Sequence, residues 1–303
     1  MVSHAERQHE TSPLLYLTTA VLTLSTVTPV MKEVVRHGEL SPFEVACLRI
    51  LIAFTCLFLV TMAGPWKELV TLPWVDVLRL TLLGILGVGL AYGLAGWALF
   101  YTSVTHYSLL YSLNPSFTAL FSFLMKRDRP TAWKIVGICL SITGCILAIP
   151  EGFHDLAVGF GDLLVLLFTI AASSTIVLST GMVKRYGAAT ATTVMFGSGL
   201  FFLLLGTMVW SVPYRLHLTF SNSLLIAYIG IATAAVFFLR NLSLRFLPPT
   251  TVGAFHNLTP VFGILLAYLF LDETVTLQMI IGGTISLAGV ELVRRDNGSG
   301  KII

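Results

Sequence analysis

Read from its first residue, the chain alternates long apolar stretches with short polar links. Ten stretches approach the roughly 20 apolar residues that a helix needs to cross the hydrocarbon core of a bilayer. They run over about 13–35, 42–63, 77–100, 104–125, 132–150, 160–183, 188–210, 222–244, 250–271 and 275–293. The links between them leave no room for a soluble domain. One boundary is blurred: "YTSVTHY" (101–107), between the third and fourth stretches, carries no charge, and merging the two would leave nine spans. The first stretch is too long for the core of a signal peptide and reads as an uncleaved first helix.

The pattern repeats. Sliding the sequence by 145 residues lays "LNPSFTALFSFL" (113–124) on "LTPVFGILLAYL" (258–269). Leu113/Leu258, Pro115/Pro260, Phe117/Phe262, Leu120/Leu265 and Leu124/Leu269 match at that offset, and so do Thr131/Thr276, Ile135/Ile280, Gly137/Gly282, Ser141/Ser286, Gly144/Gly289 and Leu147/Leu292. Apolar helices resemble one another by chance, but chance does not keep Pro, two Gly, Thr and Ser in register without a gap. A unit of five spans is odd, so its second copy enters the membrane from the opposite face. The expected fold is therefore an all-α membrane protein of ten transmembrane helices, arranged as two inverted five-helix repeats. Residues 1–12 form an N-terminal tail, 13–150 and 158–293 the two repeats, and 294–303 a C-terminal tail.

Charge placement supports ten spans over nine. With the N-terminus in the cytoplasm, Lys32, Arg36, Arg49 and Arg215 fall on the far side. The other fourteen of the eighteen basic residues fall on the cytoplasmic side or its helix ends, the asymmetry that orients helices during insertion. Both termini are expected in the cytoplasm, and the membrane to be the inner or plasma membrane of a bacterial or archaeal cell. Composition agrees: 56% of residues are hydrophobic and 11% charged, against about 25% charged in a soluble domain. The net charge of +3 gives no reason to invoke nucleic acid. Cys47, Cys56, Cys139 and Cys145 lie within apolar runs without metal-ligand spacing. "GSGKII" at the tail has the wrong spacing for a phosphate loop. No cofactor is expected.

Three stretches carry a resemblance to a known family: "TPVMKEVVRHGELSPFEVACLRILIAF", "SLLYSLNPSFTALFSFLMKRDRPTAWKIVGICLSITGCILA" and "TVGAFHNLTPVFGILLAYLFLDETVTLQMIIGGTISLAGVEL". The chain resembles the drug/metabolite transporter superfamily, in its ten-helix EamA-like branch, over essentially its whole length. "LDE" (271–273) stands near the usual "LGE", whereas "MKRDRP" (125–130) departs from it. The resemblance implies an export or exchange carrier for small metabolites, and it matches Lys32 to the family's lysine late in span 1.

An ionisable group at membrane depth is costly and is by default a functional candidate. No Asp or Glu lies near the middle of a stretch, which argues against a proton-driven exporter of organic cations. The embedded charges are basic. Arg240 lies deep in the eighth stretch and Arg49 about two turns into the second; both offer a planar fork for carboxylate or phosphate. The bland readings are an interfacial anchor for Arg240, snorkelling or pairing with Glu44 for Arg49, and a helix C-cap for Lys32. Tyr107, Tyr111 and Asn114, spaced i, i+4, i+7, share one face of a continuous helix. The repeat maps them onto Val252, His256 and Thr259. Such a recurring polar face fits a midplane cavity or a packing seam. Asn241 stands beside Arg240, and Trp97, with Tyr92 and Tyr101, lines a wall or faces lipid. His256 is the candidate for proton coupling. Pro115 and Pro260, within their stretches, are a matched pair of hinges or static bends.

These readings converge on a secondary carrier, a monomer or homodimer in the lipid bilayer, with a small-molecule metabolite as its partner. The expected cargo is an amino acid or a related amphoteric or anionic compound. Export of hydrophobic drugs or exchange of phosphate esters is the alternative on the same fold. Intramembrane catalysis would need an acid pair, a metal set or a Ser/Lys dyad at depth, and none is legible, so an enzyme is not expected.

Overall fold

The structure is a computed structural model that describes residues 4–36, 40–125, 131–148, 159–209, 219–256, 258–271 and 275–299. These residues form helices, with no strand among them. They are α1 (His4–Arg36), α2 (Pro42–Ala63), α3 (Trp66–Val70), α4 (Trp74–Gly84), a π-helical turn (Ile85–Leu90), α5 (Ala91–Tyr101), α6 (Val104–Tyr111) and α7 (Asn114–Leu124). Then follow α8 (Ala132–Ala148), α9 (Phe160–Tyr186), α10 (Ala188–Val209), α11 (Phe220–Leu244), α12 (Pro249–Phe255), α13 (Leu258–Phe270) and α14 (Leu277–Ser299). Each apolar stretch of the sequence is occupied. Six segments are long and apolar enough to cross a membrane, from Pro13–Val35 to Phe220–Leu244, and Ala132–Gly144 and Leu277–Gly289 are shorter apolar helices. The fourth and ninth stretches are each broken in two, α6/α7 and α12/α13.

Local sequence sets the boundaries. Ser41 caps α2: its hydroxyl accepts from the Glu44 amide at 3.2 Å, and the Glu44 carboxylate accepts from the Ser41 amide at 2.5 Å, a capping box with Pro42 at the first turn. Glu44 is thereby committed to its own helix end and leaves Arg49 to other partners. The blurred link between spans 3 and 4 resolves at Ser103, whose hydroxyl caps α6 by accepting from the His106 amide at 3.0 Å. Between α9 and α10, Gly187 takes φ +75°, a backbone region costly for any residue with a Cβ.

The prolines correct one expectation. Pro115 does not kink a continuous helix. It sits in the first turn of α7, after a turn at Ser112–Leu113, and Pro260 lies in the first turn of α13, which follows the end of α12 at Phe255 and a turn at His256. A first-turn proline lacks only an N–H that no helical partner needs. The chain breaks at matched points where a bend was expected.

The outside is apolar, as lipid requires: Trp74, Phe220, Phe270 and Leu277 are among the most exposed side chains. Trp66 and Trp133 are also exposed at helix starts, where interfacial anchors belong; Trp210 lies outside the described residues. The inside is rich in hydroxyls that bond back to helical carbonyls, such as Ser25 to Val21 and Thr169 to Val165, so polar groups at depth are satisfied locally.

The two halves meet about a pseudo-twofold. Residues 145 apart can touch only near such an axis, and three pairs do. Ser141 Oγ lies 3.3 Å from Ser286 Oγ, and Tyr111 Oη 3.3 Å from His256 Nδ1. The Tyr92 and Phe237 rings lie 5.7 Å apart. Helices α8 and α14 cross so tightly that a Cβ on Gly144 would come 2.3 Å from Ser286 N and 2.6 Å from Gly282 O. The mate, Gly289, would meet Ser141 N at 2.4 Å and Gly137 O at 2.5 Å. Partners fall along α14 as they rise along α8, so these equivalent helices run antiparallel through a small-residue seam. Other contacts are reciprocal: α1 packs on α11 as α9 packs on α5, and α6 on α13 as α12 on α7.

Candidate functional site

The broken helices and the axis enclose a cavity. Its walls come from α1, α2, the π-turn, α5, α6, α9 and α11 and from the α12–α13 break. The free volume is about 30 Å³, room for two or three ordered waters. In this conformation the site is narrow.

Two arginines reach it. Arg49, on α2, is 4% exposed. Its Nε donates to Thr233 Oγ1 at 2.6 Å, its Nη1 approaches Met31 Sδ at 3.3 Å, and its Cζ lies 4.5 Å from the centroid of the Tyr92 ring. Arg240, on α11, is 5% exposed. Its Cζ lies 4.0 Å from the centroid of Phe237, its Nη2 points to Asn241 Oδ1 at 3.4 Å, and its Nε has no partner. Aromatic faces offset part of the charge through the ring quadrupole. Among the described residues neither arginine meets a carboxylate.

The opposite wall is aromatic. Tyr107 and Tyr111 stack on Phe168 at 5.7 and 5.4 Å, with planes 28° and 17° apart. Tyr111 also bonds His256 Nδ1. His256 Nε2 and Thr259 Oγ1 are buried without a partner. An unpaired buried polar atom costs about 1–3 kcal/mol, so three such atoms around one cavity, counting Arg240 Nε, describe a surface built to be completed by something else.

Of the residues singled out in the sequence, Arg49, Tyr92, Arg240, Tyr107, Tyr111, His256 and Thr259 line this cavity. Four do not. Asn241 stands behind Arg240, donating to Thr192 Oγ1 at 2.7 Å, and so positions the guanidinium. Asn114 leaves the face expected of it because α6 ends at Tyr111; it starts α7, where its carbonyl accepts from Thr118 at 2.8 Å and Ser173 at 3.1 Å. Trp97 stacks on Tyr101 at 6.1 Å, away from the cavity. Lys32 donates to the carbonyls of Leu99 and Thr102 at 2.7 and 2.8 Å. It caps the end of α5, where the helix dipole favours a cation. Sequence reading missed Thr233, Met31, Phe168 and Phe237. Hydroxyls and aromatics are abundant in apolar helices, and nothing in their spacing marks these.

No group of three or more His, Cys, Asp or Glu gathers among the described residues. Two acidic side chains sit at helix starts. Asp76, at the start of α4, accepts from Arg185 at 2.9 Å, from Arg79 at 3.1 Å and from the Tyr186 hydroxyl. Asp162, at the start of α9, accepts from Thr102 Oγ1 at 2.8 Å and lies 3.7 Å from His106 Nδ1. These pins tie α4 and α5 to α9 at both ends and lie outside the cavity.

Comparison with known proteins agrees with this architecture. The model of the EamA-like transporter family matches twice, over residues 11–149 and 159–295, one match to each half. A protein from Archaeoglobus fulgidus named "Uncharacterized transporter" is 29% identical over 84% of this chain and 88% of its own. A like-named protein from Clostridium kluyveri is 25% identical over 83% of each. One solved crystal structure superposes with a TM-score of 0.72 at 18% identity, over 95% of this chain and 98% of the other, a likeness of fold. With two family matches that together cover nearly the whole chain, this multi-pass membrane protein belongs to the EamA-like transporter family.

Proposed function

We propose that the protein is a secondary transporter that works by alternating access, exporting or exchanging a small carboxylate-bearing metabolite, with amino acids and related compounds as the leading class. One observation carries the reading: Arg49 and Arg240 are buried on one central cavity without a carboxylate partner among the described residues. A guanidinium at membrane depth costs at least about 2.5–3.5 kcal/mol. A bidentate bond to a carboxylate offsets that cost. The breaks between α6 and α7 and between α12 and α13 supply paired joints about which the wall parts. Phosphate esters would use the same cations and form the second reading. The protein sits in the cell membrane with both termini in the cytoplasm, and His256 is the candidate for proton coupling; tags on the two termini and exchange with and without a pH gradient test these points.

The test is counterflow of labelled metabolites in liposomes. Arg240→Ala is expected to abolish exchange while insertion and monodispersity stay intact. Undiminished flux in that variant removes the anion site.

A further inference from the structure

The cavity's charge is unbalanced in a way that specifies more than an anion. Arg49 and Arg240 bring two positive charges, and the described lining holds no carboxylate. A monoanion would neutralise one and leave the other in low dielectric, where an uncompensated charge is expensive. A zwitterion would do worse, because its ammonium adds a third cation.

The two guanidiniums are also separate stations. Arg49 Nε is held at Thr233 Oγ1. Arg240 starts seven residues further along α11, on the same face and about 10 Å along the axis at 1.5 Å per residue. Its guanidinium leans back over Phe237, one turn behind it. Each cation rests on its own ring, Tyr92 or Phe237, and these rings contact each other at 5.7 Å. Each guanidinium thus has its own partners and can hold its own anionic group. The stacked Tyr107, Tyr111 and Phe168 offer a flat apolar face. His256 Nε2, Thr259 Oγ1 and Arg240 Nε supply unpaired polar atoms at one end.

The geometry points to a dicarboxylate as the transported species, with one carboxylate at Arg49, the other at Arg240, and a flat or apolar body against the aromatic wall. This rests on the transport reading above and, within carboxylate-bearing metabolites, moves the leading class from amino acids to compounds carrying two carboxylates and no ammonium.

The test uses the full chain, purified and reconstituted in phosphatidylethanolamine–phosphatidylglycerol liposomes. Counterflow is measured with labelled terephthalate, succinate, benzoate, phenyl phosphate and phenylalanine at equal concentration. Terephthalate is expected to exchange at least about tenfold faster than benzoate or phenylalanine, the ratio set by one uncompensated charge, and faster than phenyl phosphate, which carries a similar charge on one anionic group instead of two. Arg49→Gln and Arg240→Gln are each expected to lower terephthalate exchange at least about tenfold and to lower benzoate exchange by less, so that the preference for two carboxylates shrinks, since each removes one of the two cations. Arg49→Lys and Arg240→Lys, which keep the charge, are expected to keep the preference for two carboxylates if a glutamine variant does not fold. Benzoate or phenylalanine moving as fast as terephthalate overturns the dicarboxylate assignment and leaves the transport reading standing. Phenyl phosphate moving faster than every carboxylate shows a single anion station and overturns it as well. No probe moving, with no probe raising the melting temperature of the detergent-purified protein, overturns both.

Discussion

Helix α9 lies against α4, the π-turn and α5, and α1 lies against α11 in the same relation, half a molecule away. The 145-residue offset makes the two pairs equivalent, yet they are fastened differently. The first pair is pinned at both ends by carboxylates, Asp76 to Arg185 and Tyr186, and Asp162 to Thr102 and His106. It is also close-packed between: a Cβ on Gly87 would come 2.3 Å from Thr175 Oγ1, and one on Gly161 2.9 Å from the Tyr101 backbone. The repeat-mates of Asp76, Asp162, Gly87 and Gly161 are Ser221, Leu17, Ala232 and Tyr16. The second pair is held across by hydroxyls, Ser243 to the Pro13 carbonyl at 3.0 Å and Thr26 to Tyr228. Of two equivalent helix pairs, one therefore carries carboxylate pins and the other is joined by hydroxyls. Alternating access, as proposed above, needs one rigid body to move against another, and on that proposal the carboxylate-pinned α4–α5/α9 pair is expected to travel as a unit and the α1/α11 seam to yield.

The largest effect separates the seams directly. In a variant lacking the native cysteines, Thr26→Cys with Tyr228→Cys, joined by a short reducible bifunctional thiol reagent, is expected to stop exchange and to recover on reduction. Thr102→Cys with Asp162→Cys, joined in the same way, is expected to keep most of the flux. Equal loss from both links would break the comparison.

Stability should divide along the same line. Gly87→Leu drives a side chain into Thr175 at sub-van der Waals distance. It is expected to cost about 1–3 kcal/mol or more, read as lost monodisperse protein and a lowered melting temperature. Asp76→Asn removes the charge and one of the two acceptor oxygens that serve Arg79, Arg185 and Tyr186, and a smaller but clear drop in melting temperature follows. Ser243→Ala removes one neutral hydrogen bond on the yielding seam, worth about 1 kcal/mol or less. It is expected to shift melting least and to leave transport intact. A Ser243→Ala loss as large as that of Asp76→Asn would show that the seams are equally fixed.

The cavity was legible in the sequence wherever a residue was out of place in lipid. Arg49, Arg240 and His256 stood out because charge and imidazole are costly there, and the repeat then brought Tyr111 and Thr259 with them. Periodicity misled at Asn114. The spacing from Tyr107 holds only if the helix continues, and turn formation at Ser112–Leu113 ends it. Lys32 looked the same as a ligand or as a cap, since both readings place a lysine in a last turn. Its partners, the carbonyls of Leu99 and Thr102, lie some 70 residues away in the chain.

The order of apolar and polar residues alone determined the membrane class, the helix positions and the twofold repetition, because burying unpaired backbone in hydrocarbon leaves a chain of this composition almost no other option. Tertiary packing decided which side chains share the central space, which carboxylates became pins and which of two equivalent seams is locked. Those outcomes depend on distances between residues far apart in the chain, and a hydroxyl, a ring or a glycine acquires its role only from the neighbour it is pressed against.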